Sequence, residues 1–276
     1  MKSILVALSE SPGGLAAQDL ALSLATKHHA KLTAVSILDI GYLTAPEPTP
    51  IGGTYYKLMA DAERVQRASA LNVRMGRHFR EKCDAQGITA EFISLEGAPD
   101  ETLRSACAKH DVILLGRDSD FHGEPPHKLA RTVDHLLGAN PRPLIVSPEK
   151  SVEPESVLVA YDGSVPSARA LQLFVLLFRT VVSEIRLVSI CPEVKRAERL
   201  VDDASAYLAM YGLGARRTPI GSDAHPSELI CAEVQASGAG LVVMGAYGHR
   251  GWRAALLGST TSRLLSSSPA ALFIHH

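Results

Sequence analysis

Two periodicities alternate along the chain. Short continuous apolar runs, such as Ile4-Leu5-Val6-Ala7-Leu8 and Leu241-Val242-Val243-Met244, precede longer stretches whose apolar residues recur every three or four positions. The short runs are rich in Val, Ile and Leu, as parallel strands covered on both faces are. The longer stretches carry one apolar stripe, as helices packed on a sheet do. In the C-terminal half this predicts strands at Val157–Tyr161, Ile185–Ile190, Arg216–Ile220, Leu241–Gly245 and Ala271–Ile274. Helices are predicted between them at Ser167–Phe178, Val194–Tyr211, Pro226–Ala236 and Thr260–Ser267. Pro226 falls at a helix start, where its missing N–H costs nothing. In the N-terminal half a stripe through Leu58, Ala62, Val65, Ala68, Leu71, Met75, Phe79 and Cys83 predicts one long helix near Lys57–Gln86.

The order of elements is written twice. Ile4–Ser9 matches Val157–Asp162, and Val35-Ser36-Ile37 matches Val188-Ser189-Ile190. Leu129–Val146 aligns without gaps to Leu257–Ile274, with identity at Leu129, Thr132, Leu136, Leu137, Pro141 and Leu144. A repeat this long is a duplicated domain, not a solenoid unit. Each copy is therefore expected to be an α/β domain of Rossmann-like type. That means a doubly wound, five-stranded parallel sheet of strand order 3-2-1-4-5, with ligands beyond the carboxyl ends of the strands. The tandem domains are residues 1–148 and 155–276, joined by the polar, proline-containing segment Ser147–Pro154. The first copy carries an insertion, Asp39 to about Tyr56, with prolines at Pro46, Pro48 and Pro50; it reads as a surface loop, a lid being the alternative. Leu144–Val146 and Leu272–Ile274 are short apolar edge strands, and such edges invite pairing.

Composition narrows the classes. At 276 residues and 46% apolar, the chain can bury the cores of two domains. A formal net charge of −1 gives no electrostatic case for nucleic acid or an anionic membrane as partner. No apolar run approaches the roughly 18 residues that span a bilayer. Cys83, Cys107, Cys191 and Cys231 lack zinc-type spacing, which favours a reduced, cytoplasmic protein. His28-His29 and His275-His276 have no partners at helical spacing, so no metal site is expected.

Candidate chemistry concentrates in the second copy. Met244-Gly245-Ala246-Tyr247-Gly248 ends a strand, and Gly258-Ser259-Thr260 opens a helix. Glycines let backbone approach a phosphate, and unpaired N–H groups at a helix start point towards it. Asp162, at the end of the first strand of this copy, is placed to accept hydrogen bonds from ribose hydroxyls. The alternative for Asp162 is a helix N-cap, and for the glycines, ordinary turns. In a 3-2-1-4-5 sheet the first and fourth strands are neighbours at the switch point, so carboxylate and glycine loop converge on one crevice. His249, Arg250 and Arg253 lie within the loop, either reaching phosphates or forming a basic surface. His225-Pro226 mirrors Ala98-Pro99 and reads as structural.

With its G-x2-G-x9-G-[S/T] spacing and its duplication, the chain resembles the universal stress protein family in its tandem form. The resemblance implies ATP binding, with ADP or AMP as related ligands and Mg²⁺ accompanying the phosphates. Asp162 would hold the ribose, with Ala160 just before it where the family often has Pro, and the Ile190 backbone would meet adenine. Met244, Gly245, Gly248, Gly258, Ser259 and Thr260 would line the nucleotide. The resemblance further implies that the last strands of the two copies pair in an internal pseudo-dimer, with dimerisation of whole chains open.

The first copy departs from the motif. Ser9 replaces the carboxylate, Gly116-Arg117-Asp118-Ser119 keeps only the first glycine, and Gly123 falls out of register. Ala130-Arg131 stands in place of Gly258-Ser259, and Asp118 and Asp120 are expected to repel phosphate. Arg131 and Lys128 read as solvated helix charges. One nucleotide site per chain is therefore expected. No G-x4-G-K-[S/T] sequence occurs and no lysine falls between Gly245 and Thr260, so binding is favoured over turnover. Slow hydrolysis and a purely structural module remain the alternatives.

Overall fold

A computed structural model of the chain describes residues 1–48, 53–119, 121, 135–137, 142–150, 152–246 and 258–276. The strands are β1 (Ser3–Ala7), β2 (Lys31–Leu38), β3 (Ala90–Glu96), β4 (Val112–Gly116), β5 (Leu144–Ser147), β6 (Ser156–Ala160), β7 (Glu184–Cys191), β8 (Arg216–Gly221), β9 (Leu241–Gly245) and β10 (Ala271–His275). The helices are α1 (Pro12–His28), α2 (Ile40–Leu43), α3 (Thr54–Ala85), α4 (Pro99–Cys107), α5 (Val165–Phe178), α6 (Val194–Ala209), α7 (Pro226–Ser237) and α8 (Ser259–Ser267).

The ten strands form one sheet in the order β3-β2-β1-β4-β5-β10-β9-β6-β7-β8. Within each half the strands are parallel and follow the doubly wound order, first strand beside second on one side and fourth on the other. The two halves meet at β5 and β10, which pair antiparallel with Ile145 opposite Phe273. Ser147 closes β5 rather than opening the connecting segment.

Burial follows the apolar pattern. Ile4, Leu5, Val6 and Ala7 are fully buried because helices cover both faces of β1. One core is continuous across both halves beneath α1, α3, α5 and α6. Its seam is aromatic: Phe174 stacks on Phe178, and Phe178 meets Phe273 edge-on at 5.7 Å. The second core lies beneath α4, α7 and α8. The α1 start is set locally, since Pro12 occupies the first turn and Ser11 Oγ accepts from the Gly14 N–H.

The long first-half helix differs from its expected packing. Met75, Phe79 and Cys83 are buried, but Leu58 is 63% exposed. Length explains this: 32 residues of helix extend about 48 Å, whereas the 8 residues of β2 extend about 26 Å. Running antiparallel to the strands, α3 overshoots their carboxyl ends by its N-terminal turns. Tyr55 and Tyr56 already belong to this helix, and Asp39 caps α2 by accepting from the Tyr42 N–H, so the insertion is shorter as a loop than expected.

Candidate functional site

The C-terminal half brings its candidate residues to the carboxyl ends of three adjacent strands. β6 lies between β9 and β7, pairing Val159 with Val243 and Ala160 with Val188. Ala160 ends β6, Ile190 is the penultimate residue of β7, and Met244 and Gly245 end β9. Asp162 lies two residues beyond the end of β6, its Oδ1 accepting from the Ser164 N–H at 2.9 Å. The helix cap itself is Ser164, whose Oγ accepts from the Ser167 N–H at 3.3 Å. Capping thus falls to Ser164, while Asp162 braces the turn one step nearer the crevice. Gly163 between them has φ +76°, the left-handed region that favours glycine. Gly248, Tyr247, His249, Arg250 and Arg253 lie outside the described residues.

Two glycines of the motif do different things. A Cβ on Gly245 would overlap the Ser167 amide nitrogen and the Pro166 carbonyl carbon, so glycine is required for the first turn of α5 to approach β9. Gly116 is in the same position: a Cβ there would overlap Gly13 and Gly14 in the first turn of α1. The glycine kept in both halves is a packing glycine. Gly258 differs, for at φ −56° any residue is at ease and no described atom lies within 4 Å of the Cβ position. Helix α8 starts there without a side-chain cap. The leading N–H groups of Ser259 and Thr260, with their hydroxyls, make an anion-accepting start.

Beside it stands His225, the N-cap of α7. Its Nε2 lies 3.2 Å from Ser259 Oγ, and its Nδ1 lies 2.7 Å from Ser227 Oγ and 3.3 Å from Ser227 N. His225 therefore does more than open a helix: it ties the first turn of α7 to that of α8. The separation in sequence hides this, and the one available signal is the contrast with Ala98 in the first half.

The first half closes its own crevice. One Asp118 carboxylate oxygen accepts from Ser11 Oγ at 2.9 Å and the other from the Gly13 N–H at 3.1 Å. Ser119 Oγ accepts from the Gly116 N–H at 3.0 Å, folding the loop onto the strand end. Asp118 does not merely face an incoming phosphate; it sits at the α1 N-terminus as the chain's own anion. Its neighbour Arg117 reaches across to the second half, donating to the carbonyls of Ser266 and Ser268 at 3.3 and 3.1 Å. Those carbonyls belong to the far end of α8, the helix that Gly258 opens. Ala130, Arg131, Lys128, Asp120 and Gly123 lie outside the described residues.

A separate open groove of about 780 Å³ lies where α3 overshoots the sheet, lined by Leu38, Ile40, Ala62, Val65, Val73 and Glu96 among others. Among the described residues no group of three or more His, Cys, Asp or Glu is disposed to hold a metal ion. No described helix is long and apolar enough to cross a membrane. None of the four cysteines is in a disulfide.

The duplicated, doubly wound α/β sheet, with Asp162 just beyond the end of β6 and an uncapped start to α8, is of the Rossmann-like class. A model of the universal stress protein family matches residues 1–119 and 154–275, and the chain belongs to that family. A universal stress protein of Synechocystis sp., Slr1230, is 24% identical over 165 residues, covering 59% of this chain and 58% of that protein. The chain thus spans a little over half the length of this curated relative. The fold is similar to a universal stress protein from Archaeoglobus fulgidus DSM 4304, with TM-score 0.73 and 18% identity over 99% of this chain and 97% of that one. It is also similar to PA1789, a functionally unknown protein from Pseudomonas aeruginosa PAO1, with TM-score 0.59 and 16% identity over 100% and 92% of the two chains.

Proposed function

We propose that the chain binds one adenine nucleotide, ATP foremost, in the crevice of its C-terminal half, and that it serves as a regulatory protein of the stress response. Gly258 is the observation that carries this reading. No described residue requires glycine there, yet it opens an uncapped helix whose leading N–H groups suit a phosphate. Asp162 beyond β6 takes the ribose hydroxyls, Ala160 and Met244 flank it, and the Ile190 backbone meets adenine. Gly258, Ser259 and Thr260, with Gly248 of the intervening loop, take the phosphates and any accompanying Mg²⁺; Gly245 lets α5 close on the strand. The first-half crevice is expected to take no nucleotide, because Asp118 holds a carboxylate at the start of α1, beside the strand ends where the ligand would lie.

In this reading residues 1–148 act as a scaffold domain and residues 155–276 as the binding domain, joined through β5 and β10 as an intramolecular pseudo-dimer. The setting is cytoplasmic, where ATP is abundant. Binding is favoured over turnover, because Asp162 is committed to the ribose and the motif brings no lysine to the phosphates.

Calorimetric titration with ATP and Mg²⁺ tests the proposal, with a stoichiometry of one per chain expected. Gly258→Val should abolish measurable binding by placing a branched side chain against the phosphates. Asp162→Ala should weaken it roughly 10- to 100-fold, the worth of hydrogen bonds to a charged group. Two sites per chain, or unchanged affinity in Gly258→Val, would sink it. ADP accumulating over hours in the wild type but not in Gly258→Val would instead identify a slow ATPase.

A further inference from the structure

We infer that His225 is a positioning residue for the phosphate end of this site, acting through the hydroxyl of Ser259; the inference rests on the nucleotide reading above. The bonds around the imidazole fix its tautomer. The Ser227 backbone nitrogen has only a proton to offer, and it lies 3.3 Å from Nδ1, so Nδ1 is the acceptor of that bond. The Ser227 hydroxyl, 2.7 Å away, donates to the same nitrogen. The ring proton then resides on Nε2, which donates to Ser259 Oγ at 3.2 Å.

That direction has a consequence for Ser259. Its oxygen accepts from the ring, so its own O–H is left to donate away from His225. Ser259 is the first residue of α8, where the unpaired N–H groups suit an anion. An oriented hydroxyl beside them adds a further donor without the entropy cost of a free rotor. Among the described residues, Glu228 in the first turn of α7 pairs with Arg263 of α8 at 3.4 Å. His225 therefore contributes through hydrogen-bond direction. The first half has Ala98 at the matching position, and α4 starts without a side-chain cap.

The test separates capping from positioning. His225→Ser keeps a good N-cap for α7 but is too short to reach Ser259, whereas His225→Gln can restore a donor near Nε2. Calorimetric titration of each protein with ATP, ADP and adenosine supplies the readout, and thermal melting without ligand checks the fold. We expect His225→Ser to bind ATP and ADP about five- to ten-fold more weakly, the worth of one neutral hydrogen bond. Its adenosine affinity and melting temperature should match wild type, and His225→Gln should recover most of the ATP affinity. Equal losses for adenosine and ATP, or no loss for either, would overturn the inference while leaving the nucleotide reading in place. Absence of ATP binding by the wild-type protein would overturn both.

Discussion

Gly245 and Gly258 belong to one motif and obey different physics. At Gly245 the constraint is internal, because a Cβ would strike the backbone of the first turn of α5. At Gly258 no described neighbour objects to a side chain. Gly245→Ala should therefore destabilise the protein by about 1–3 kcal/mol, the usual cost of overpacking, and Gly116→Ala should do the same in the first half. Gly258→Ala should change stability by no more than about 0.5 kcal/mol. Urea denaturation of the three variants checks this, and a large loss for Gly258→Ala would show that its role is structural. The consequence for reading such motifs is concrete. The glycine retained in both halves is explained by packing, while no described contact explains the one absent from the first half.

Among the elements, α8 is held at both ends by residues far away in sequence. Its start meets His225 of α7, and its end meets Arg117 from the loop after β4 of the other half. A guanidinium on two C-terminal carbonyls satisfies orphan acceptors and complements the helix dipole. The Arg117 side chain is 20% exposed and also lies 3.5 Å from Glu149, so solvent screening is partial. Arg117→Ala should cost about 1–2 kcal/mol of stability, measured by urea denaturation. Arg117→Lys should recover only part of it, since an ammonium cannot fork to two carbonyls. Full recovery by lysine would mean that charge alone matters. In the same loop Asp118 accepts from Ser11 and Gly13 at the start of α1, so one loop braces both its own half and α8 of the other.

At the scale of the whole molecule the seam between halves carries a pH dependence. His28, at the end of α1, meets Phe178 of α5 edge-on at 5.7 Å, and its Nε2 is buried with no hydrogen-bond partner among the described residues. Burial, reinforced by the N-terminal ammonium and Lys27, pushes its pKa down to about 4. The folded state therefore resists a proton that the unfolded chain accepts at about 6.5. Stability contributed by neutral His28 is present above that value and is lost as pH falls from about 6.5 towards 4, with no further loss below. Urea melts between pH 7.5 and 4.5 should show this decline, and His28→Phe should flatten the part of it that His28 supplies. Lys27 bridges the same seam to Glu153 and Glu155 at 2.8 and 3.1 Å, so salt should weaken it further.

The alternation of strand and helix, the duplication and the adjacency of the first and fourth strands of the second half were legible in residue order alone. Each depends on local periodicity or on identity between the two copies, and both survive in a linear string. Other features came only from the tertiary structure: the overshoot of α3, the plug formed by Asp118, the reach of Arg117 into α8, and the tie between His225 and Ser259. Asp118 looked like a charge that would repel phosphate because its partners, Ser11 and Gly13, lie a hundred residues earlier. Periodicity shows which face of an element is buried; only packing shows which distant side chain arrives at its end.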